Sequence, residues 1–468
     1  MDSAEMRRLS LGIRKTPWRQ QMRRLERFVA QILGFEGWRV VEWYWETPDR
    51  LKFMPISWEL VPRGARLVIV VGRRWMGRCV DCGHRCAKVH EHLKVRRWHD
   101  LPWCEHPVDI EYAPDRLWCP CCERSCVELL PWADRYQHET RRAQQYIALE
   151  AQSMPTSHVA VRYGVDWHTV RRAERRALER WDATRTPPPL TQVGMDEKYL
   201  GRRNQFGDKF VTIVSNLESG EPVWIGFGRR EATVNAWINT LSVHDKTAIK
   251  LVVMDMHQPF KLAVQADDAL RHAAIAHDPF HVMKRANEAI DELRRETFFR
   301  AGPHMRALGR GKCWLFRRAW AKCTDDDHVE LRSLLRGNPK LAHGYQVREE
   351  LRDVLHAPNE LTMAMGLVHV MKRIERRDNV PMRKLHDSLD AHFDEIVALG
   401  GHHPPTGRIE ALNNNWETLV RQGRGYRDLD FLLLKLRFAV VNPIRTENGA
   451  KRFLALGLPA PYRTAAAA

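Results

Sequence analysis

No run in this 468-residue chain is long and apolar enough to cross a bilayer. The longest apolar runs, such as Leu67 to Val71 and Phe431 to Leu434, fall far short of the roughly 20 residues a spanning helix needs. The stretch Met1-Asp2-Ser3-Ala4-Glu5 has no apolar signal segment, so export is not expected. Acidic residues are in deficit: 58 Asp and Glu face 75 Lys and Arg, a formal net charge of +17. That balance calls for a polyanionic partner, and without a membrane segment the expected polyanion is nucleic acid. The expected location is therefore cytoplasmic and nucleoid-associated. Internal repeats and long low-complexity tracts are missing. The ten cysteines are not spread as a disulfide framework would be; eight fall between residues 60 and 130. Such clustering suits metal binding in a reducing compartment.

The length allows two to four domains. Residues 1–60 read as a basic, tryptophan-rich arm with a short helix from Arg24 to Leu33. Residues 61–134 hold the cysteine cluster among β-like runs, and residues 135–186 are helical. Pro187 to Pro189 make a stiff linker. Strands and helices then alternate over residues 187–283. Residues 284–400 are almost all helix, residues 401–445 carry a further amphipathic helix, and residues 446–468 form a C-terminal tail. The expected fold class is multidomain α+β. A zinc ribbon and a helix-turn-helix precede a ribonuclease-H-like α/β core interrupted by an all-helical insertion.

Cys79 and Cys82 are separated by two residues, as are Cys119 and Cys122. Two such knuckles can supply four thiolates to one structural, tetrahedral Zn²⁺. Gly83 permits the tight turn after the first. Cys86, Cys104, Cys121 and Cys126 are read as having no metal role, with a second zinc left open.

Between Thr156 and Arg176 the pattern is that of a helix-turn-helix. Val159, Ala160 and Tyr163 share an apolar face, Gly164 turns the chain, and Asp166 can cap a second helix. That helix is expected to present Trp167, His168, Thr169, Arg171 and Arg172 to bases or phosphates.

Three carboxylates sit in unlike settings. Asp196 and Asp255 each end a short apolar run, and Glu410 opens an amphipathic helix. The expected order, strand–strand–strand–helix–strand, puts Asp196 on a central strand and Asp255 on the strand beside it. Paired carboxylates repel unless a cation neutralises them, and Mg²⁺ prefers oxygen ligands. Glu197 is expected on the face opposite Asp196. Asp278 and His281, at the end of another short strand, are read as structural, with a supporting place near the metals as the alternative.

In order, the cysteine knuckles, the helix-turn-helix and three blocks resemble those of bacterial insertion-sequence transposases of the DDE type, in the ISL-three family. The blocks are Gly194-Met195-Asp196-Glu197, Val253-Met254-Asp255-Met256 and Gly407-Arg408-Ile409-Glu410-Ala411-Leu412-Asn413-Asn414. The runs Asp278-Pro279-Phe280-His281 and Arg424-Gly425-Tyr426-Arg427-Asp428 with Phe431 resemble that family too. The chain departs at Ala411-Leu412, where a glycine is expected, and in its extra cysteines.

The resemblance implies that Asp196, Asp255 and Glu410 hold a pair of Mg²⁺ (or Mn²⁺) ions. It also implies that the chain binds the terminal inverted repeats of its element as double-stranded DNA, cleaves there, and joins the ends to target DNA. Pairing of two ends implies a homodimer. Arg421, Arg424 and Arg427 follow the glutamate and are expected to hold phosphates. Lys284, Arg285, Arg294, Arg295, Arg317, Arg318, Lys372 and Arg373 of the insertion are expected on the DNA backbone. Two alternatives stand beside this: a DNA-binding regulator with an inactive core, and a nuclease that cuts without joining.

Overall fold

The computed structural model describes residues 34–35, 37–54, 61–200, 208–300, 302–377, 379–423 and 426–456. Most of the basic arm, its expected helix, and Arg424 lie outside these residues. The chain divides into two compact units. Residues 1–185 and 442–468 form one, and residues 186–441 the other. Among the described residues, no helix is long and apolar enough to cross a membrane.

The first unit begins earlier than the sequence suggests. Residues 38–53, expected in a basic arm, are strands: β1 (Trp38–Glu46) and β2 (Lys52–Phe53). They join β3 (Arg66–Arg73), β7 (Arg96–Trp103) and β8 (His106–Tyr112) in a five-stranded sheet of order β2-β1-β3-β8-β7. Arginines and tryptophans alternate poorly to the eye, which hides the strand. Trp45, Trp98 and Trp132 nevertheless bury themselves with Leu67, Ile69 and Ile110 in one core. The cysteines lie on smaller pieces. The hairpin β4 (Gly77–Arg78)–β5 (Arg85–Cys86) carries the first knuckle. A three-stranded sheet of β10 (Arg124–Val127), β9 (Asp115–Cys119) and β6 (Val89–His92) carries the second.

Three helices follow: Arg141–Glu150, Thr156–Tyr163 and Trp167–Ala183. The first starts at a Thr140 cap whose hydroxyl also donates to the buried Asp100. Ile147, Val159, Ala160, Val170 and Ala173 close their common core. Part of the expected C-terminal tail is helical, Glu447–Ala455, and packs on Arg141–Glu150.

The second unit is built on a five-stranded sheet of order β13-β12-β11-β14-β15. The strands are β11 (Gln192–Tyr199), β12 (Phe210–Asn216), β13 (Pro222–Phe227), β14 (Leu251–Met254) and β15 (Ala274–His277). β11 is central, antiparallel to β12 and parallel to β14, and β14 is parallel to β15. Leu-Val-Val-Met of β14 is buried throughout, as a parallel strand covered on both faces must be. Val193, Met195, Val252 and Met254 pack against helices Glu231–Ile238 and Gln258–Ala266. Leu251, Val253 and Ala276 share a core with the helices between residues 279 and 402. Val211, Ile213 and Ile225 receive Leu412, Trp416, Leu432 and Leu436 from helices Gly407–Gly423 and Leu429–Val441.

Candidate functional site

Strand register assembles the acidic site. Met195, Met254 and His277 are lateral partners across β11, β14 and β15. The residue that follows each in the chain is Asp196, Asp255 and Asp278, so three aspartates come directly after three laterally paired positions. β11 runs on past Asp196 to Tyr199, so that residue does not end its strand as expected; the parallel pairing with β14 ends one residue before it, at Met195. Asp196 is 7 % exposed, with its Oδ2 held by Lys198 Nζ at 2.9 Å and Asn413 Nδ2 at 2.8 Å. Lys198 shares a face with Asp196 because strand side chains alternate. Asp255 Oδ1 accepts from the Met256 amide at 2.6 Å and lies 3.1 Å from His281 Nδ1. Asp278 caps helix Pro279–Arg294 by accepting from the Phe280 amide at 3.0 Å. Burial pushes its carboxyl above the usual range, and the nearby charges of Asp196 and Asp255 push the same way.

Glu410 lies exposed on helix Gly407–Gly423, one turn before Asn413. Residues three apart share a helix face, so the helix that presents Asn413 to Asp196 also turns Glu410 toward the site's rim. Gly194 sets how closely this helix approaches. A Cβ there would lie 2.7 Å from Leu217 Cδ2 and 3.1 Å from Ile409 Cδ1. Among the described residues, Asp196, Asp255 and Glu410 do not converge within the 4.8 Å that marks a ready-made ion site. Glu197 faces away from Asp196, as expected, and pairs with Arg229 at 3.1 Å. Asn413 and Lys198 were not singled out in the sequence. Spacing carries the signal for both, three residues after Glu410 and two after Asp196.

The cysteine site has a different character. The Sγ atoms of Cys79, Cys82, Cys119 and Cys122 all lie within 4.8 Å of one another. Cys79 and Cys122 are 3.9 Å apart, and Cys82 and Cys119 are 3.5 Å apart. A tetrahedral ion with about 2.3 Å bonds to sulfur needs edges of about 3.8 Å. Gly83 (φ 73°) and Glu123 (φ 51°) occupy the same place after the two knuckles, both in the left-handed region. The Cys79 thiol is pushed up by burial, but the amides of Cys82 and Asp81 and the neighbouring thiols outweigh this and hold it at about 6. Cys86 and Cys126 are buried beside the four, and Cys126 Sγ lies 3.4 Å from Cys79 Sγ. The alternative grouping Cys79, Asp81 and Cys126 shares Cys79 with the first, so it offers no independent second site.

In the helix-turn-helix, Gly164 takes the left-handed conformation (φ 64°) that ends the first helix. Asp166 caps the second by accepting from the Thr169 amide at 2.9 Å. Trp167 is 48 % exposed and stacks on the exposed His168, with ring centroids 3.8 Å apart. Thr169 is a correction: it is 4 % exposed, because its hydroxyl turns inward to Asp166 as part of the cap. Arg172 is exposed and donates to that hydroxyl, and Arg171 is partly exposed. Arg421 and Arg427 are exposed, Arg421 paired with Glu417 at 2.7 Å. Among the insertion's cations, Lys284, Arg285 and Lys372 are exposed. Arg294 is buried and bonded to Asp291, so it is unavailable to DNA; Arg318 pairs with Asp327 and Arg373 with Glu350.

Comparison with known proteins identifies these pieces. A family model described as a transposase, of the DDE type in family ISL3, matches residues 193–436. A second, for the helix-turn-helix domain of transposase family ISL3, matches residues 128–178. The chain is 30 % identical to the transposase for insertion sequence element IS1001 of Bordetella parapertussis, over 77 % of this chain and 88 % of that protein. It is 25 % identical to the transposase for element IS1557 of Mycobacterium tuberculosis, over 79 % of this chain and 87 % of that protein. The first match spans the acidic register and Glu410, and the second spans the capped helix pair. The chain belongs to the ISL3 family of insertion-sequence transposases, with a helix-turn-helix DNA-binding domain and a DDE transposase domain.

Proposed function

We propose that the chain binds the terminal inverted repeats of its element and catalyses divalent-metal-dependent cleavage and strand transfer. Asp196, Asp255 and Glu410 are its catalytic carboxylates, on a ribonuclease-H-like core with an insertion over about residues 284–400. The observation that carries this reading is the register pairing of Met195 with Met254, which sets Asp196 and Asp255 one residue further on, with Asn413, one turn from Glu410, bonded to Asp196. These oxygen donors fit Mg²⁺ or Mn²⁺, and the charges of Asp196 and Asp255, which add to burial in raising the Asp278 carboxyl, are charge that a cation would relieve.

When bound, a pair of such ions would supply charge stabilisation at the attacking and leaving oxygens of a phosphodiester. The protein's own contribution is placement. Lys198 and Asn413 hold one oxygen of Asp196, leaving the other on the side of the Glu197 amide. His281 fixes Asp255, and Asp278 ties the strand end to the start of the next helix. Arg421, Arg424 and Arg427 follow Glu410 on the chain and would steady phosphates. Trp167, His168, Arg171 and Arg172 would contact the end sequence, and Cys79, Cys82, Cys119 and Cys122 would hold a structural zinc. Two ends brought together call for a homodimer.

The test is incubation of the purified chain with Mg²⁺ and DNA bearing the element's ends, followed by mapping of cut and joined products. Asp196→Asn, Asp255→Asn and Glu410→Gln should each lower cleavage by about a thousandfold or more, the loss of several kcal/mol of transition-state stabilisation. End binding should persist. Wild-type cleavage in one variant would remove that residue from the set. Cutting without joined products would make the chain a nuclease only, and binding without cutting would make it a regulator.

A further inference from the structure

Behind the carboxylates runs a buried polar chain that the proposed chemistry does not use. His277 is 1 % exposed, ends β15 and immediately precedes Asp278. Its Nδ1 lies 3.3 Å from the carbonyl of Met254, the residue immediately before Asp255. A carbonyl only accepts, so Nδ1 carries the hydrogen and a neutral ring offers Nε2 as acceptor. That Nε2 meets His392 Nδ1 at 3.1 Å, so His392 is the donor. His392 stands at the start of helix Phe393–His402, which packs on β15. One turn on, the buried Glu395 is ion-paired with Lys261. Lys261 lies on helix Gln258–Ala266, whose chain leads directly from Asp255.

Two sets of contacts therefore meet on one helix of the insertion: His392 reaches the strand ends through His277, and Glu395, one turn on, pairs with the helix that follows Asp255. An apolar pair would fill the same space without directing anything. Directional polar contacts instead select one arrangement of the elements they join. We propose that His392 and Glu395 are positioning residues. Through His277 the helical insertion holds the ends of β14 and β15, and so sets the metal affinity of the carboxylate site. This rests on the functional reading above. It also gives the insertion a part in the chemistry that does not require it to touch DNA.

The test measures Mn²⁺ affinity of the full chain by electron paramagnetic resonance without DNA, beside melting curves and end binding. His392→Leu should weaken Mn²⁺ binding about tenfold, as loss of a supporting contact behind a metal ligand does, with end binding unchanged. The Mn²⁺ concentration for half-maximal cleavage should rise by the same factor. His392→Asn, whose amide can still donate to His277, should recover most of the affinity. Unchanged affinity in folded His392→Leu would overturn the proposal. So would loss of one bound zinc per chain on that substitution, because His277, His392 and Glu395 lie close enough to hold an ion themselves. Should His392→Leu not fold, Glu395→Gln replaces it: a threefold or greater loss supports the proposal and unchanged affinity overturns it. If wild-type affinity is not lowered by Asp255→Asn, the carboxylates are not the metal site, and the reading and this inference fall together.

Discussion

The two units of this chain each carry a group of metal-ligand side chains, and the groups differ in how finished they are. In the first unit four thiols already stand within reach of a single ion, held by two knuckles and a small sheet. In the second, three aspartates follow laterally paired strand positions and are held by protein groups, Asp196 by Lys198 and Asn413, Asp255 by the Met256 amide and His281, and Asp278 by the Phe280 amide. Four protein ligands leave no position for substrate, which is the signature of a structural ion. Carboxylates that trade partners are what a working site needs, since its ions must be reached by phosphate and water. Close convergence of ligand atoms is thus the mark of a scaffolding site, and shared strand positions mark a site whose ions must also be reached by substrate.

The largest test of that contrast is a double comparison. If the four thiols hold the proposed zinc, Cys79→Ser, or chelation of the wild-type chain, should uncouple the β4–β5 hairpin from β9. The region around residues 77–128 should then become open to limited proteolysis and lose its own melting transition. Asp255→Asn should do the reverse, silencing cleavage by about a thousandfold while leaving every melting transition in place. Proteolytic resistance in a metal-free Cys79→Ser chain would break the comparison from one side. Collapse of the second unit in Asp255→Asn would break it from the other.

How far this was legible in the sequence follows the same division. The CxxC spacing names its own ligands, and the alternation after Gln192 yields the order of β11 to β15 and the adjacency of Asp196 and Asp255. Asp278 follows a strand in the same way, and the sequence leaves it between a structural role and a place near the metals. What spacing could not show was contact made through the turn of a helix: Asn413, not Glu410, is the residue bonded to Asp196. The strands at 38–53 were missed because bulky tryptophans and arginines obscure the period-two pattern, and a bulge between Val40 and Glu42 shifts its phase. Thr169 was misplaced because a capping residue and a recognition residue occupy the same turn, and only the side-chain bond to Asp166 separates them. His277, His392 and Glu395 are far apart in sequence, and no local pattern joins them.

A smaller effect should come from the helix that completes the acidic site. Gly194→Ala introduces a methyl group 2.7 Å from Leu217 and 3.1 Å from Ile409. Overpacking of this kind costs about 1–3 kcal/mol, and one route to its relief displaces Ile409 and with it the helix bearing Asn413 and Glu410. Cleavage should fall by more than the loss in stability explains, with end binding unaffected. Equal falls in folded fraction and in activity would show that the glycine serves packing alone. This sharpens the contrast, because no comparable substitution in the first unit should alter the rate without altering affinity.

The smallest effect belongs to that first unit, and its signature is salt. Arg172 is exposed on the second helix of the helix-turn-helix, where its guanidinium is partly steadied by Thr169. If it neutralises one phosphate, Arg172→Ala should weaken end binding modestly at low salt and reduce the slope of log affinity against log salt by about one. A base contact would instead cost about 1–3 kcal/mol at one position of the end sequence and leave the slope nearly as it was. Cleavage at saturating protein should be unchanged either way, because the residue recruits DNA and takes no part in the carboxylate chemistry. A reduced rate at saturation would mean that the first unit does more than bring DNA to the second, and the separation of binding from chemistry would have to be given up.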